Sequence, residues 1–318
     1  MEPQASREMM QYTLVSRKPN FGLPTACPVC LPVYIYLKLA GFPFAVDVNT
    51  NYPDSDEIPY VDSGTYAAFN NETGGVISRL KDDGIVDLDA EISSISEWVS
   101  LKAMITSYLE ETFTYELWIG SGGNCAWKIY YSDLPWIIGK VLHMKKVYSV
   151  KQRFGISKEN ADRLEEEMYQ KAKGAYGALS SKIGEDTFLF ENRPSSLDAH
   201  LLAHLLLTLE ALPESSVLRS SLLEFSNLVR YAEKHRAQLL TGDSPSSLPP
   251  PPRSPWQSDS KPRKKDKREK TEEEKAFRKK AKYFLVTQIV AVLLFLSITG
   301  GYGPSDVEAA DEDGSYYD

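Results

Sequence analysis

The sequence predicts an α+β protein: a small mixed domain over residues 1–85 followed by an all-helical domain over residues 86–240. Three observations lead to this prediction. Short runs of β-forming residues alternate with helical segments in the first part. From Ile92 onward the apolar residues recur with the period of a helix. Beyond residue 240 the chain is rich in proline and charge, and then purely apolar. A composition of 42% apolar and 25% charged residues is that of a globular chain and excludes wholesale disorder.

The first domain has the predicted order β-α-β-β-β-α. The expected segments are a strand over 11–15, a helix over 31–40, strands over 44–48, 58–61 and 65–69, and a short helix over 76–81. This is the order of a thioredoxin-like domain, although segment 49–57 is too short and polar for the second helix of that fold. A proline that opens the third strand of this fold is commonly cis, and Pro59 is the candidate.

The second domain is predicted from three apolar stripes and two further helices. The stripes are Ile92, Ile95, Val99, Ile105, Leu109 and Phe113; Leu164, Met168, Tyr176, Leu179 and Ile183; and Leu218, Leu222, Phe225 and Val229. The further helices are expected over 133–146 and 197–212. A thioredoxin-like domain followed by a helical one resembles the glutathione-transferase fold.

Ser195 and Asp198 stand at the spacing of a helix capping box in front of the apolar run LLAHLLL. The serine side chain accepts from the amide of the third helical residue, and the carboxylate reaches back to the serine amide. We therefore expect a structural role for Asp198, with a loss of about 1 kcal/mol on replacement by alanine.

The C-terminal part contains a candidate membrane anchor. Residues 283–302 hold 20 residues without a charge, which as a helix would span the hydrocarbon core of a bilayer. The alternative is a buried core helix, but a core helix of this length is normally amphipathic. Segment 241–282 is a Pro/Ser-rich linker and a basic juxtamembrane stretch, and residues 303–318 form an acidic tail.

The charges around this segment indicate its orientation. Residues 261–282 carry 12 basic and 5 acidic side chains, whereas residues 303–318 carry 6 acidic and none basic. The flank Arg278, Lys279, Lys280 and Lys282 is expected to keep the N-terminal domains in the cytosol and to favour the mitochondrial outer membrane. The basic stretch also fits a nuclear-localisation or nucleic-acid patch, but a juxtamembrane helix facing anionic lipid is the plainer interpretation. The net charge of −8 argues against nucleic acid as the main partner.

Several motifs narrow the resemblance to one family. The segment NRPSSLDAHLLAHLL, the helix around NLVRY, and the residues near Glu116-Leu117-Trp118, Asn124 and Leu134-Pro135-Trp136 resemble the metaxin family, of plant type. The apolar segment 283–302 near the C-terminus predicts a tail-anchored, single-pass protein, and the resemblance implies the mitochondrial outer membrane. The resemblance also implies a receptor or scaffold subunit of the sorting and assembly machinery, whose partners are the β-barrel insertase, other subunits and precursor proteins.

The alternative is a membrane-tethered glutathione-transferase-like enzyme or thiol oxidoreductase that uses Cys27 and Cys30. A C-x-x-C pair at the start of a helix is a position where thiols acquire a low pKa. Pro32 is expected to delay the helix start. The pair that would hold a γ-glutamyl group aligns with Thr73-Gly74, or with Glu72-Thr73, and looks degraded. We therefore predict no catalytic residue, no cofactor and no metal site, with four dispersed histidines and three cysteines.

Overall fold

A computed structural model describes residues 12–49, 55–184 and 186–240, together with Thr287. Segment 283–302, apart from Thr287, and the flank Arg278, Lys279, Lys280 and Lys282 lie outside the described residues. Among the residues that are described, no helix combines the length and the apolarity needed to cross a membrane.

Four strands form one mixed sheet. They are β1 (Tyr12–Ser16), β2 (Phe44–Val48), β3 (Tyr60–Asp62) and β4 (Ala67–Phe69), in the spatial order β2-β1-β3-β4. β1 runs parallel to β2 and antiparallel to β3, with Leu14 opposite Val46 on one side and Val61 on the other. Parallel strands need a crossover, and helix α1 (Cys30–Leu39) supplies it. The predicted order of this part is confirmed, and no helix occurs in the described part of the connection between β2 and β3.

Helix α1 is buried along almost its whole length. Every residue from Cys30 to Leu37 is buried, as expected for a helix that is apolar all round. Its partners are the sheet and the helical part, since Leu31, Tyr34 and Leu37 belong to the core that also contains the central helix α8 (Ser196–Glu210). The chain then forms the short helix α2 (Gly75–Asp82), which follows β4.

The rest of the described chain is helical. The helices are α3 (Ser96–Met104), α4 (Glu111–Tyr115), α5 (Asn124–Tyr130), α6 (Trp136–Arg153), α7 (Ala161–Ile183), α8, α9 (Val217–Leu223) and α10 (Ser226–Leu240). The π-helical turn Ile105–Glu110 joins α3 to α4, and a second one, Glu116–Gly120, extends α4, which makes the whole stretch nearly continuous. Helix α5 lies in a segment for which the sequence analysis predicted no helix, and α6 begins later and ends later than residues 133–146.

The first predicted stripe is partly wrong. Ile105, Leu109 and Phe113 are buried, but Ile95 and Val99 are exposed, and Trp98 and Leu101 face the core instead. A step of six residues turns a helix by about 600°, so Val99 and Ile105 cannot share a face. The third stripe spans two helices, because the helical backbone is interrupted between α9 and α10.

Helix α8 is the centre of the helical part. Twelve of its residues, from Ser196 to Thr208, are buried. Buried residues from the sheet, from α1 and from the helices form one continuous apolar core. The loop before α8 therefore sits where the sheet domain and the helices meet, and its polar side chains must find partners inside the protein.

Candidate functional site: a buried thiol pair and two buried carboxylates

The cysteine pair lies at the start of α1, between the sheet and the helical part. Cys27 is 1% exposed and Cys30 is fully buried, and both thiols are free. Together with Ile58 they form a small apolar cluster against Tyr60 and Tyr130. The Ile58–Pro59 peptide bond next to this cluster is cis, at the proline that the sequence analysis selected.

Pro32 does not delay the helix, contrary to the sequence prediction. Helix α1 begins at Cys30, and the amides of Cys30 and Leu31 both donate to the Cys27 carbonyl, at 3.1 and 3.0 Å. Pro32 is the third helical residue, where the missing N–H has no partner inside the helix in any case. The Cys27 thiol is thus held at a well-formed helix N-terminus.

The surroundings of Cys27 favour its thiolate. Burial raises the pKa of this thiol, but a hydrogen bond from the Cys30 thiol and the positive charge of Arg17 outweigh it and bring the pKa to about 5. Burial and the neighbouring Cys27 raise the pKa of Cys30 instead. The environment therefore favours the thiolate at Cys27 and the protonated thiol at Cys30.

Aromatic side chains cover the thiolate. The Tyr130 hydroxyl lies 3.7 Å from Cys27 Sγ, and the guanidinium carbon of Arg17 lies 4.9 Å from the centre of the Tyr130 ring. Trp118 also stacks on Tyr130, with the two ring centres 5.2 Å apart. These side chains leave Cys27 1% exposed, at the edge of a pocket.

A pocket of about 220 Å³ opens beside this cover. Arg17, Lys146 and Arg153 line it with Asp56, so its charge is predominantly positive. Neither Glu72 nor Thr73 lines this pocket. Gly74 precedes α2 with a φ of 82° and no side-chain cap, while Glu72 pairs with Arg79. The residues that the sequence alignment offered for a γ-glutamyl clamp are therefore not beside the thiol.

The capping box at α8 is formed, and the Asp198 carboxylate also accepts hydrogen bonds from residues outside the box. The Ser195 side chain accepts from the Asp198 amide at 3.2 Å, and Asp198 Oδ2 accepts from the Ser195 amide at 2.9 Å. Asp198 Oδ1 accepts in addition from the Leu189 amide and from the Tyr231 hydroxyl, both at 2.8 Å. Burial raises the pKa of Asp198, and these hydrogen bonds oppose the shift. Asp198 thus joins the start of α8 to the preceding loop and to α10.

A second buried carboxylate was missed by the sequence analysis. Asp89 accepts from the Ser196 amide at 2.8 Å, from the Ser196 hydroxyl, and from Lys81 Nζ at 2.9 Å. Burial raises its pKa, but the Ser196 and Lys81 contacts outweigh burial and leave the pKa lowered. Asp89 follows Asp87 in an acidic turn with no motif around it, and only its distant partners identify its role.

None of the residues that the structure describes form a group of three or more ligands able to hold a metal ion. The histidines are separately engaged: His204 Nε2 lies 2.7 Å from the Tyr176 hydroxyl, and His200 pairs with Glu110.

Comparison with known proteins agrees with this architecture. A family profile described as "Glutathione S-transferase N-terminal domain" matches residues 28–123, and one described as "Glutathione S-transferase, C-terminal domain" matches residues 172–235. A solved glutathione S-transferase from Ceriporiopsis subvermispora, in complex with glutathione, aligns over 76% of this chain and 99% of its own, with 9% identity and a TM-score of 0.49.

The decisive similarity is to a full-length relative. A protein of Arabidopsis thaliana named "Mitochondrial outer membrane import complex protein METAXIN" is 55% identical over 98% of this chain and 99% of its own length. This chain belongs to the metaxin family. Mouse Metaxin-1 is 25% identical over 89% of this chain and 86% of its own. The family assignment made from PSSLDA, NLVRY and the Trp118 region is thereby confirmed for this metaxin.

Proposed function

We propose that this metaxin is a receptor or scaffold subunit of the mitochondrial outer-membrane machinery that sorts and inserts β-barrel proteins, without catalytic activity of its own. The observation that carries the proposal is the 55% identity, over nearly the full length of both chains, to the Arabidopsis import-complex protein. The burial of both thiols, and the absence of Glu72 and Thr73 from the pocket that Cys27 lines, support a binding role over turnover.

We further propose that residues 283–302 anchor the chain as a single pass with the folded domains in the cytosol. The charge-free segment between a basic and an acidic block supports this topology. Protease added to intact mitochondria should then remove residues 12–240, and protection of these residues would reverse the orientation. Replacing the flank Arg278, Lys279, Lys280 and Lys282 by serine should shift the chain toward the endoplasmic reticulum.

Affinity purification from detergent-solubilised mitochondria tests the central proposal. A tagged chain should co-purify the β-barrel insertase, and mitochondria depleted of the chain should insert a radiolabelled β-barrel precursor more slowly. A variant without residues 283–318 is the matched control, since it keeps the folded part but loses the proposed anchor. Normal insertion in depleted mitochondria, with no insertase in the eluate, would exclude the proposed role.

A second candidate function rests on one specific observation, the lowered pKa of Cys27 beside a positively charged pocket. This second function is either conjugation of an anionic thiol such as glutathione to an electrophile or thiol–disulfide exchange. Turnover of glutathione with a generic electrophile, or reduction of insulin, would support it. Cys27→Ser combined with Cys30→Ser separates the candidates, because adaptor function should survive this double change and thiol chemistry should not.

A further inference from the structure

Helix α6 has two apolar faces, and the fold uses only one of them. The inner face packs closely on α5 and the turn after it: a Cβ at Gly139 would lie 2.9 Å from the Trp127 ring, and Val150 is buried. The outer face is exposed although it is apolar. Its side chains are Trp136, Ile137, Ile138, Val141, Met144 and Tyr148, with 71% of Trp136 and 65% of Tyr148 exposed.

The outer side chains form an ordered stripe. At 3.6 residues per turn, Ile137, Val141, Met144 and Tyr148 project along one line of the helix. We call these four residues the α6 stripe. Trp136 and Ile138 flank it at the N-terminal end of the helix, roughly 100° to either side. An exposed apolar surface of this kind on a folded protein indicates a binding surface.

The charges of α6 indicate what the stripe binds. The helix carries Lys140, Lys145, Lys146, Lys151 and Arg153 and no acidic residue, in a chain whose net charge is −8. Lys140 and Lys151 lie roughly 60° to one side of the stripe and Lys145 roughly 60° to the other. These three lysines form no ion pair with any residue in the described ranges.

An apolar stripe bordered on both sides by lysines, with Trp136 exposed at the N-terminal end of the helix, has the arrangement of a helix that lies in a membrane interface. The apolar side chains enter the acyl boundary, and the lysines reach sideways to the phosphates of anionic headgroups. An anionic membrane is negatively charged along its whole surface, which suits a helix that has basic residues on both borders and no acidic residue over 18 positions.

We propose that the α6 stripe docks on the surface of an anionic phospholipid membrane. This goes beyond the proposed function, which places the chain at a membrane by its C-terminal segment but gives no role to α6. Docking through α6 would fix the orientation of the folded part on the membrane, whereas the proposed anchor lies in a separate segment, residues 283–302.

Photocrosslinking of the full chain in vesicles tests the proposal. The photoreactive residue p-benzoylphenylalanine replaces Tyr148 in the stripe or, as a matched control, Tyr108, an exposed tyrosine outside α6. The chain is reconstituted into vesicles of phosphatidylcholine alone or of phosphatidylcholine with phosphatidylglycerol. Mass spectrometry then separates a lipid adduct from a chain–chain adduct. We expect a lipid adduct from position 148 with the anionic vesicles and little from position 108.

A charge-reversal variant provides a second test of the proposal. Each lysine near an anionic surface contributes about fivefold in binding, so reversal of three should lower the adduct yield from position 148 tenfold or more. The variant changes the bordering lysines, Lys140→Glu, Lys145→Glu and Lys151→Glu. The matched control reverses three exposed lysines elsewhere and should keep the yield: Lys158→Glu, Lys171→Glu and Lys234→Glu.

The outcomes separate this proposal from the proposed anchor. In every variant, flotation of the chain with the vesicles shows whether the proposed anchor holds the chain on the membrane. The lipid adduct at position 148 shows whether α6 contacts the membrane. Flotation without a lipid adduct would overturn docking through α6 and leave the anchor intact. A chain–chain adduct from position 148 would overturn it in favour of a second copy as the occupant. Equal lipid adducts from positions 148 and 108 would also overturn it.

Discussion

Replacement of Asp198 by alanine should destabilise this metaxin by considerably more than a lost helix cap. A cap alone is worth about 1 kcal/mol. The structure adds two contacts of Oδ1, to the Leu189 amide and the Tyr231 hydroxyl, which the capping motif does not contain. Alanine therefore leaves several buried donors without an acceptor at once.

The magnitude follows from these donors. The amides of Ser195 and Leu189 and the hydroxyl of Tyr231 lose their acceptor, and each buried unpaired donor costs about 1–3 kcal/mol. Relief of the desolvation that raises the pKa of Asp198 offsets part of this cost. We expect a loss of about 3–4 kcal/mol in the free energy of unfolding.

Urea unfolding of the detergent-solubilised chain, followed by tryptophan fluorescence, measures this loss. Ser195→Ala and Tyr231→Phe are the matched controls, because each removes one part of the network and should cost about 1 kcal/mol. A loss for Asp198→Ala no greater than that for Ser195→Ala would refute the reasoning, since the carboxylate would then act only as a cap.

Three further predictions use other buried groups. Burial lowers the pKa of His204 to about 4, so protonation of this imidazole favours the unfolded chain. The free energy of unfolding should therefore fall by roughly 3 kcal/mol as the pH drops from about 6.5 to 4. Urea unfolding at a series of pH values measures this fall, and His204→Gln should flatten this part of the curve. Cys30→Ala removes the thiol hydrogen bond to Cys27 and should raise the pKa of Cys27 above about 5. The pH dependence of alkylation by iodoacetamide measures this pKa. An unchanged pH profile would contradict the role of the Cys30 hydrogen bond in lowering it. Lys81→Met should destabilise the fold more than Asp89→Asn, because only the former leaves a charged carboxylate buried without its cation; the reverse order in urea unfolding would contradict the ion pair.

The sequence predicted much of the local structure because local structure depends on nearby residues. The alternation around Phe44–Val48 predicted β2 with its bounds, and the spacing of Ser195 and Asp198 predicted the cap of α8. Both signals act within a few residues. The cis candidate Pro59 was selected differently, from its place at the start of the third strand of a thioredoxin-like fold.

Predictions that depend on packing were less complete. Val99 is as apolar as Ile105, yet Val99 is exposed, because the direction in which a helix face points is set by the neighbours that cover it. The delayed start of α1 was inferred from Pro32 alone and is wrong, since the proline occupies a first-turn position that tolerates it.

The sequence by itself determined the order of the elements in the sheet domain, the family, and the basic, apolar and acidic composition of successive C-terminal segments. Only the tertiary structure decided that Asp89 binds Ser196, 107 residues away, and that Tyr130 covers Cys27 from 103 residues away. It also decided which apolar face of α6 is left exposed. The physical reason is that hydrogen bonding and burial act between residues that are close in space, and the spacing along the chain does not specify those distances.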